Sequence, residues 1–406
     1  MDAVKQCIDL LFQLIEIPTV NPPGENYHRM AKLLKQYLEE LGFRVEIIEI
    51  PENYLDKFYP YAPQHRGYPR YIVLARNCSD RVDLHINCHY DVVPPGEGWS
   101  FDPFKPIVKE DRVYGRGATD MKGGIACVLT ALRLAIERRE LRGCIELAFV
   151  PDEESGGIGT KYLVEELGAT PRYVLIPEPT SSELIAIGHK GMIRGLIRVF
   201  GRQGHASRPW RAVNAFEKGC ILVARLVEVF QRYAHSKRSD MPFEEEEARY
   251  VTLSLGGWVR TSAMKDNVVP GEFSFSFDIR TIPELSNEEV FRSFKSMVEE
   301  IAGDIGVRVA IEKLIDIPAA STPIDSPLLT FVRSIASKVL GYEPRIFVNT
   351  GRYDLVFYRS RGSHVVVYGP GVRGQAHAVD EYITIEELRR FINIYAEIFR
   401  SLEQLS

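Results

Sequence analysis

Residues 85–99 read HINCHYDVVPPGEGW, and the way this stretch begins and ends decides the fold class. Leu84, Ile86 and Cys88 alternate with polar partners, so the run predicts a strand. Pro94, Pro95 and Gly96 then end it. His89 and Asp91 therefore share one face at a strand exit, where open α/β sheets place ligands. A solvated histidine at a polar strand end would produce the same pattern. The choice depends on whether other ligand-type residues stand at equivalent exits.

Working outward, helical and strand patterns alternate from residue 1 to about 190. Strands are expected at 71–76, 83–90, 144–150 and 173–176, with helices at the N-terminus, up to about Gly42 and over 125–137. This alternation predicts an α/β layered domain around a largely buried sheet. The Pro- and Tyr-rich stretch 51–70 reads as a surface excursion near the mouth of the site. From 191 to 314 the pattern becomes β-α-β-β-α-β, the split-βαβ ferredoxin-like arrangement. The α/β pattern then resumes over 315–406, and Thr384 with Glu387 forms a capping box ahead of the last helix. The expected organisation is a first catalytic part at 1–190, an inserted domain at 191–314 and a second catalytic part at 315–406.

Composition limits the function classes. A chain of 406 residues exceeds one ordinary core. Hydrophobic content of 45% with 26% charged residues describes a globular protein, and a net charge of −5 gives no electrostatic reason to expect nucleic acid or anionic membrane as a partner. The cysteines at 7, 78, 88, 127, 144 and 220 contain no C-x-x-C pair and read as reduced thiols. The first residues read as an amphipathic helix without a basic n-region, and no apolar stretch approaches a membrane span, so a cytoplasmic protein is expected.

Four further polar clusters follow predicted strands. VYGRGATDMKGG places Asp120 ahead of a helix whose dipole favours a carboxylate. FVPDEESGG carries Asp152, Glu153 and Glu154 in a row, a run that alone reads as a solvated turn. LIPEPTSS holds Glu178 between prolines, and GVRGQAHAVDEYI places His377 before the final helix. Together His89, Asp120, Glu154, Glu178 and His377 offer two imidazoles and three carboxylates, a donor set for one or two divalent ions of the zinc, cobalt or manganese kind. Glu153 points away from Glu154 in extended backbone, and a carboxylate beside a metal-bound water is the group that takes its proton. Asp91 is placed to hydrogen-bond the other imidazole nitrogen of His89.

In order and at family-like intervals, HYDVVP, GRGATDMKGG, PDEESGG, PEPT, GRQGHAS, NVVP and GQAHAVDEY resemble the M20 family of metallohydrolases. That group includes acetylornithine deacetylase, succinyl-diaminopimelate desuccinylase, aminoacylase-1 and glutamate carboxypeptidases. The resemblance covers nearly the whole chain and implies a mixed-sheet zinc-hydrolase domain with two metal ions, most often zinc. By motif match, His89 and Glu178 would bind one ion, Glu154 and His377 the other, and Asp120 would bridge them. Glu153 would be the general base that activates a bridging water for attack on an amide carbonyl. The inserted domain would be a lid and dimerisation domain, with His205 stabilising the oxyanion in the partner's active site.

Asn267 and Arg280 match positions that hold the substrate carboxylate, although Arg280 equally suits an interdomain salt bridge. VNTGRYDLVF keeps Thr350 and Gly351 but places the bulky Arg352 where glycine, Thr or Ser is common, which suggests recognition of a second acidic group. The resemblance therefore implies a metal-dependent amidohydrolase acting on N-acyl-amino acids, of desuccinylase or deacetylase type. A carboxypeptidase or dipeptidase of the same family and a non-catalytic metal-binding homologue are the alternatives. No P-loop, strand-borne G-x-G-x-x-G or G-x-S-x-G supports nucleotide binding or serine hydrolysis.

Overall fold

The computed structural model describes residues 2–79 and 81–405. The chain divides into two compact units: residues 1–187, 321–346 and 353–406, and residues 188–320 with 347–352.

The first unit is built on a mixed sheet. Seven of its strands run in the order Arg44–Ile50, Arg70–Arg76, Ile145–Val150, Leu84–His89, Tyr173–Pro179, His364–Gly369 and Leu184–His189, and the last of these also pairs with Ala320–Ser321 and Arg345–Asn349. The four from Ile145–Val150 to His364–Gly369 are parallel, and their neighbours on both sides are antiparallel. Leu84–His89 and Ile145–Val150 are buried along their whole length, as expected of strands covered by helices on both faces. The apolar sides of Ala3–Ile15, Lys122–Glu137 and Ile385–Arg400 bury against one another to cover the sheet.

Register sets the strand exits level. His89 pairs with Val150, so Glu153 starts its turn three residues beyond the neighbour of His89. His85 pairs with Val174, which carries Glu178 to the same height as His89 on the other side.

Three expectations need correction. Stretch 51–70 is not merely a surface excursion: it forms the helix Glu52–Phe58 and buries Tyr54, Leu55, Tyr59, His65 and Arg70. Its aromatic side chains pack against Ile72, Val150 and Leu163, so the burial stabilises the segment. The capping box at 384–387 is half formed. Thr384 accepts the Glu387 N–H, but the Glu387 carboxylate turns to the N–H and hydroxyl of Ser182. Cys78 and Cys144 are joined as a disulfide with Cα atoms 5.6 Å apart, because the ends of two sheet strands bring together residues 66 apart in sequence. Cys7, Cys88 and Cys127 are buried free thiols, and Cys220 is exposed.

The second unit contains an antiparallel sheet ordered Thr252–Thr261, Glu272–Thr281, Gly191–Phe200 and Arg308–Ile317. Helices Ala215–His235 and Asn287–Asp304 pack on it through Leu222, Leu226, Phe230, Phe294 and Val298. In chain order this is β-α-β-β-α-β, and the sheet order is that of the ferredoxin-like sandwich. The last strand runs to Ile317, three residues past the expected end, and residues 347–352 return to this unit, where Lys190 N–H donates to Asn349 O at 3.0 Å. Among the described residues, no helix is long and apolar enough to cross a membrane.

Candidate metal centre

Five separate segments of the first unit bring His89, Asp120, Glu153, Glu154, Glu178 and His377 together. Asp120 lies between the two imidazoles: Oδ1 is 3.2 Å from His89 Nε2, and Oδ2 is 3.5 Å from His377 Nε2. Glu178 Oε1 stands 3.5 Å from His89 Nε2, and Glu154 Oε1 stands 2.9 Å from His377 Nε2. Donor atoms of His89, Asp120 and Glu154 lie within 4.8 Å of one another, as do those of His89, Glu153 and Glu178. Glu153 therefore also stands within ligand distance, a position the sequence assigned to proton transfer alone. His89, Glu153 and Glu178 are buried, whereas His377 is exposed.

The electrostatics follow from this crowding. Burial disfavours a charged His89, but Glu178, Asp120 and Asp91 outweigh it and hold its pKa well above the imidazole range. The hydrogen bond to Glu154 raises His377 to about 9. Burial, followed by the charge of Asp120, raises Glu154. Burial also pushes Glu178 up to about 7, with Asp120 adding to the rise. Protons are thus held where divalent cations would compete for the same donors. Nitrogen and carboxylate donors in this number suit zinc, cobalt or manganese, so the residues fit the expected ions.

Asp91 binds differently from expectation. His89 Nδ1 pairs with the main-chain carbonyl of Asp91 at 3.1 Å, and the Asp91 carboxylate is 3.6 Å away. That carboxylate instead accepts the main-chain N–H groups of Glu153 at 3.1 Å and Glu154 at 3.2 Å. One residue thereby holds the ring of His89 and the turn carrying both glutamates.

The remaining predicted residues belong to the second unit. His205 pairs with Val268 in a two-residue ladder, and Ala206 N–H donates to Asn267 O at 3.0 Å, which sets His205 beside Asn267. His205 Nδ1 accepts the Ser207 N–H at 3.1 Å, so the neutral ring carries its proton on Nε2. Arg280 is engaged by Asp278 on its own strand at 2.8 and 3.3 Å. Thr350, Gly351 and Arg352 lie on the 347–352 segment of this unit.

Two supporting groups escaped the sequence reading. Glu381 is fully buried and accepts N–H bonds from Gly117, Thr119 and Asp120 at 2.8–3.0 Å and from Arg116 at 2.7 Å, fixing the loop that presents Asp120. Asp152, in the acidic run read as a solvated turn, is fully buried and bound by Asn21, Tyr27 and Arg70. The sequence signal for both is an acid close to a ligand-type residue, Asp152 next to Glu153 and Glu381 four residues after His377, with nothing to mark its distant partners.

Residues 85–401 match Peptidase family M20/M25/M40. The chain is similar to the succinyl-diaminopimelate desuccinylase of Methylococcus capsulatus, with 30% identity over 407 residues covering 97% of this chain and 98% of the relative. Its fold is similar to that of aminopeptidase PepT from Bacillus cereus, with a TM-score of 0.77 at 20% identity over 98% of this chain and 99% of that one. It is also similar to that of an M20 family metallo-carboxypeptidase from Sulfolobus solfataricus, with a TM-score of 0.73 at 19% identity over 99% of each chain.

Proposed function

The chain belongs to peptidase family M20/M25/M40, and from that premise we propose that it is a two-metal hydrolase cleaving the amide bond of N-acyl-amino acids, of the desuccinylase type. The observation that carries the proposal is Asp120, whose two oxygens face different histidines, each with its own glutamate. His89 and Glu178 would hold one ion, His377 and Glu154 the other, and Asp120 both. Zinc is the ion proposed, with cobalt or manganese as substitutes.

When bound, such ions polarise an amide carbonyl and acidify water. Glu153 takes the proton of the attacking water and passes it to the leaving amine nitrogen, a transfer suited to a buried carboxylate. Asp91 holds the main chain of Glu153 for this task. His205, donating through Nε2, stabilises the carbonyl oxygen in the partner subunit's active site as negative charge develops. Arg280 and Asn267 bind the substrate carboxylate, and Thr350, Gly351 and Arg352 contact the acyl side.

We further propose a homodimer formed through the second unit. Phe216, Ile221 and Val227 on the helix Ala215–His235 and Trp258 and Val259 on an edge strand are exposed apolar residues, which supports that reading. The desuccinylase assignment rests on the name of the 30%-identical relative. A panel of N-succinyl-diaminopimelate, N-acetylornithine, other N-acetyl-amino acids and dipeptides tests it. Preference for dipeptides would move the chain to the peptidase branch.

A further inference from the structure

The turn that carries Glu153 is held from below by a buried cluster that has no ligand role. Asp152 has a left-handed backbone, φ 62°, which costs energy for a residue with a Cβ and sets the direction in which Glu153 leaves the strand. Asp152 Oδ1 accepts Asn21 Nδ2 at 3.0 Å and the Tyr27 hydroxyl at 2.8 Å, and its Oδ2 accepts Arg70 Nε at 2.9 Å.

The same Asn21 amide nitrogen donates to Asp91 Oδ2 at 3.0 Å. Its carbonyl oxygen accepts the Tyr59 hydroxyl at 2.7 Å, and its main-chain N–H is bound by Val92 O at 2.9 Å. Both amide hydrogens and the amide oxygen are thus committed, and the side chain cannot turn without breaking a buried bond. Asn21 is neutral, so it joins two carboxylates that would otherwise repel each other.

Asn21, Tyr27, Tyr59, Arg70, Asp91 and Asp152 are all at least 96% buried. The Arg70 guanidinium lies over the Tyr59 ring at 4.6 Å. Gly24, at φ +103°, makes room for it, since a Cβ there would lie 2.7 Å from the guanidinium.

We infer that Asn21 is a positioning residue: its amide ties Asp91 to Asp152 and thereby fixes the main chain of Glu153, with Tyr59 and Arg70 from stretch 51–70 as its buttress. That gives the Tyr- and Pro-rich stretch a task in the chemistry at a distance. The inference rests on the proposed role of Glu153 only for its kinetic consequence. The clamp on the turn is a separate, measurable matter.

The test uses the zinc-loaded full chain and the variants Asn21→Ala and Tyr59→Phe. Amide hydrogen exchange is followed over residues 150–157, together with bound zinc, kcat and KM. For Asn21→Ala the expected result is exchange about tenfold faster over residues 152–154, with the Leu84–His89 strand unchanged. Zinc content stays at the wild-type value, kcat falls about 100-fold and KM is little altered, as for a misplaced catalytic group. Tyr59→Phe, which removes one hydroxyl, shows the same pattern at about a tenth of the kinetic loss, and it carries the test if Asn21→Ala does not fold.

Unchanged exchange and unchanged kcat in both variants would overturn the inference. So would uniformly faster exchange with loss of zinc, which is general destabilisation. Local exchange that rises in a protein whose wild type cleaves no amide would sink the proposed function and leave the clamp standing.

Discussion

Glu153 and Glu154 are neighbours in sequence, yet their carboxylates join different groups: Glu154 pairs with His377 at 2.9 Å, while Glu153 stands with His89 and Glu178. Two roles follow from that divergence, and substitution separates them. Glu153→Ala should keep the fold and the bound metal of the wild type while turnover falls by about a thousandfold or more. Metal analysis beside the rate decides the point. Loss of an ion would make Glu153 a ligand.

His205 is held by the Ser207 main chain and offers Nε2–H outward. His205→Ala should lower kcat by about 100- to 1000-fold with metal content unchanged, the effect of removing one oxyanion donor. An unaltered kcat would reduce it to an exposed hairpin residue.

Glu381→Ala would strand three main-chain N–H groups and the buried Arg116 guanidinium. Breaking a buried ion pair from one side costs about 3–5 kcal/mol, so the urea midpoint should fall accordingly. A loss below about 1 kcal/mol would show that water or another group replaces the carboxylate.

Glu146 gives the pH dependence of stability. Burial raises its pKa, but His85 at 2.9 Å and Arg76 outweigh this and hold it at about 2, below an ordinary value of 4.5. A depressed carboxylate stabilises the fold above its unfolded pKa and ceases to do so as pH falls through the folded one. About 3 kcal/mol is therefore present at pH 7 and disappears between pH 4.5 and 2. The stability gap between wild type and Glu146→Gln should narrow across that window. A constant gap would contradict the assignment.

The parts of the fold that were legible are those written in local patterns. The Leu84–His89 run alternates apolar and polar residues, the Ile145–Val150 run is mostly apolar, and each carries ligand-type side chains at or just past its end. The β-α-β-β-α-β order could likewise be read from alternation alone. What escaped the sequence is polar pairing over long separations. Asn21 and Asp152 are 131 residues apart and Cys78 and Cys144 are 66 apart, and no periodicity announces either pair. Asp152 sat in an acidic run that resembles a solvated turn, and burial reversed its meaning. Arg70 closes a stretch whose tyrosines suggested a surface, although their rings are what bury it.

Release of free amine from N-succinyl-diaminopimelate by zinc-loaded protein, beside a chelated control, tests the central claim most directly. The account predicts cleavage that vanishes with the chelator, returns with added zinc or cobalt, and exceeds that of dipeptides. Protein that binds metal at this site yet releases no amine from any acyl-amino acid or dipeptide would contradict it.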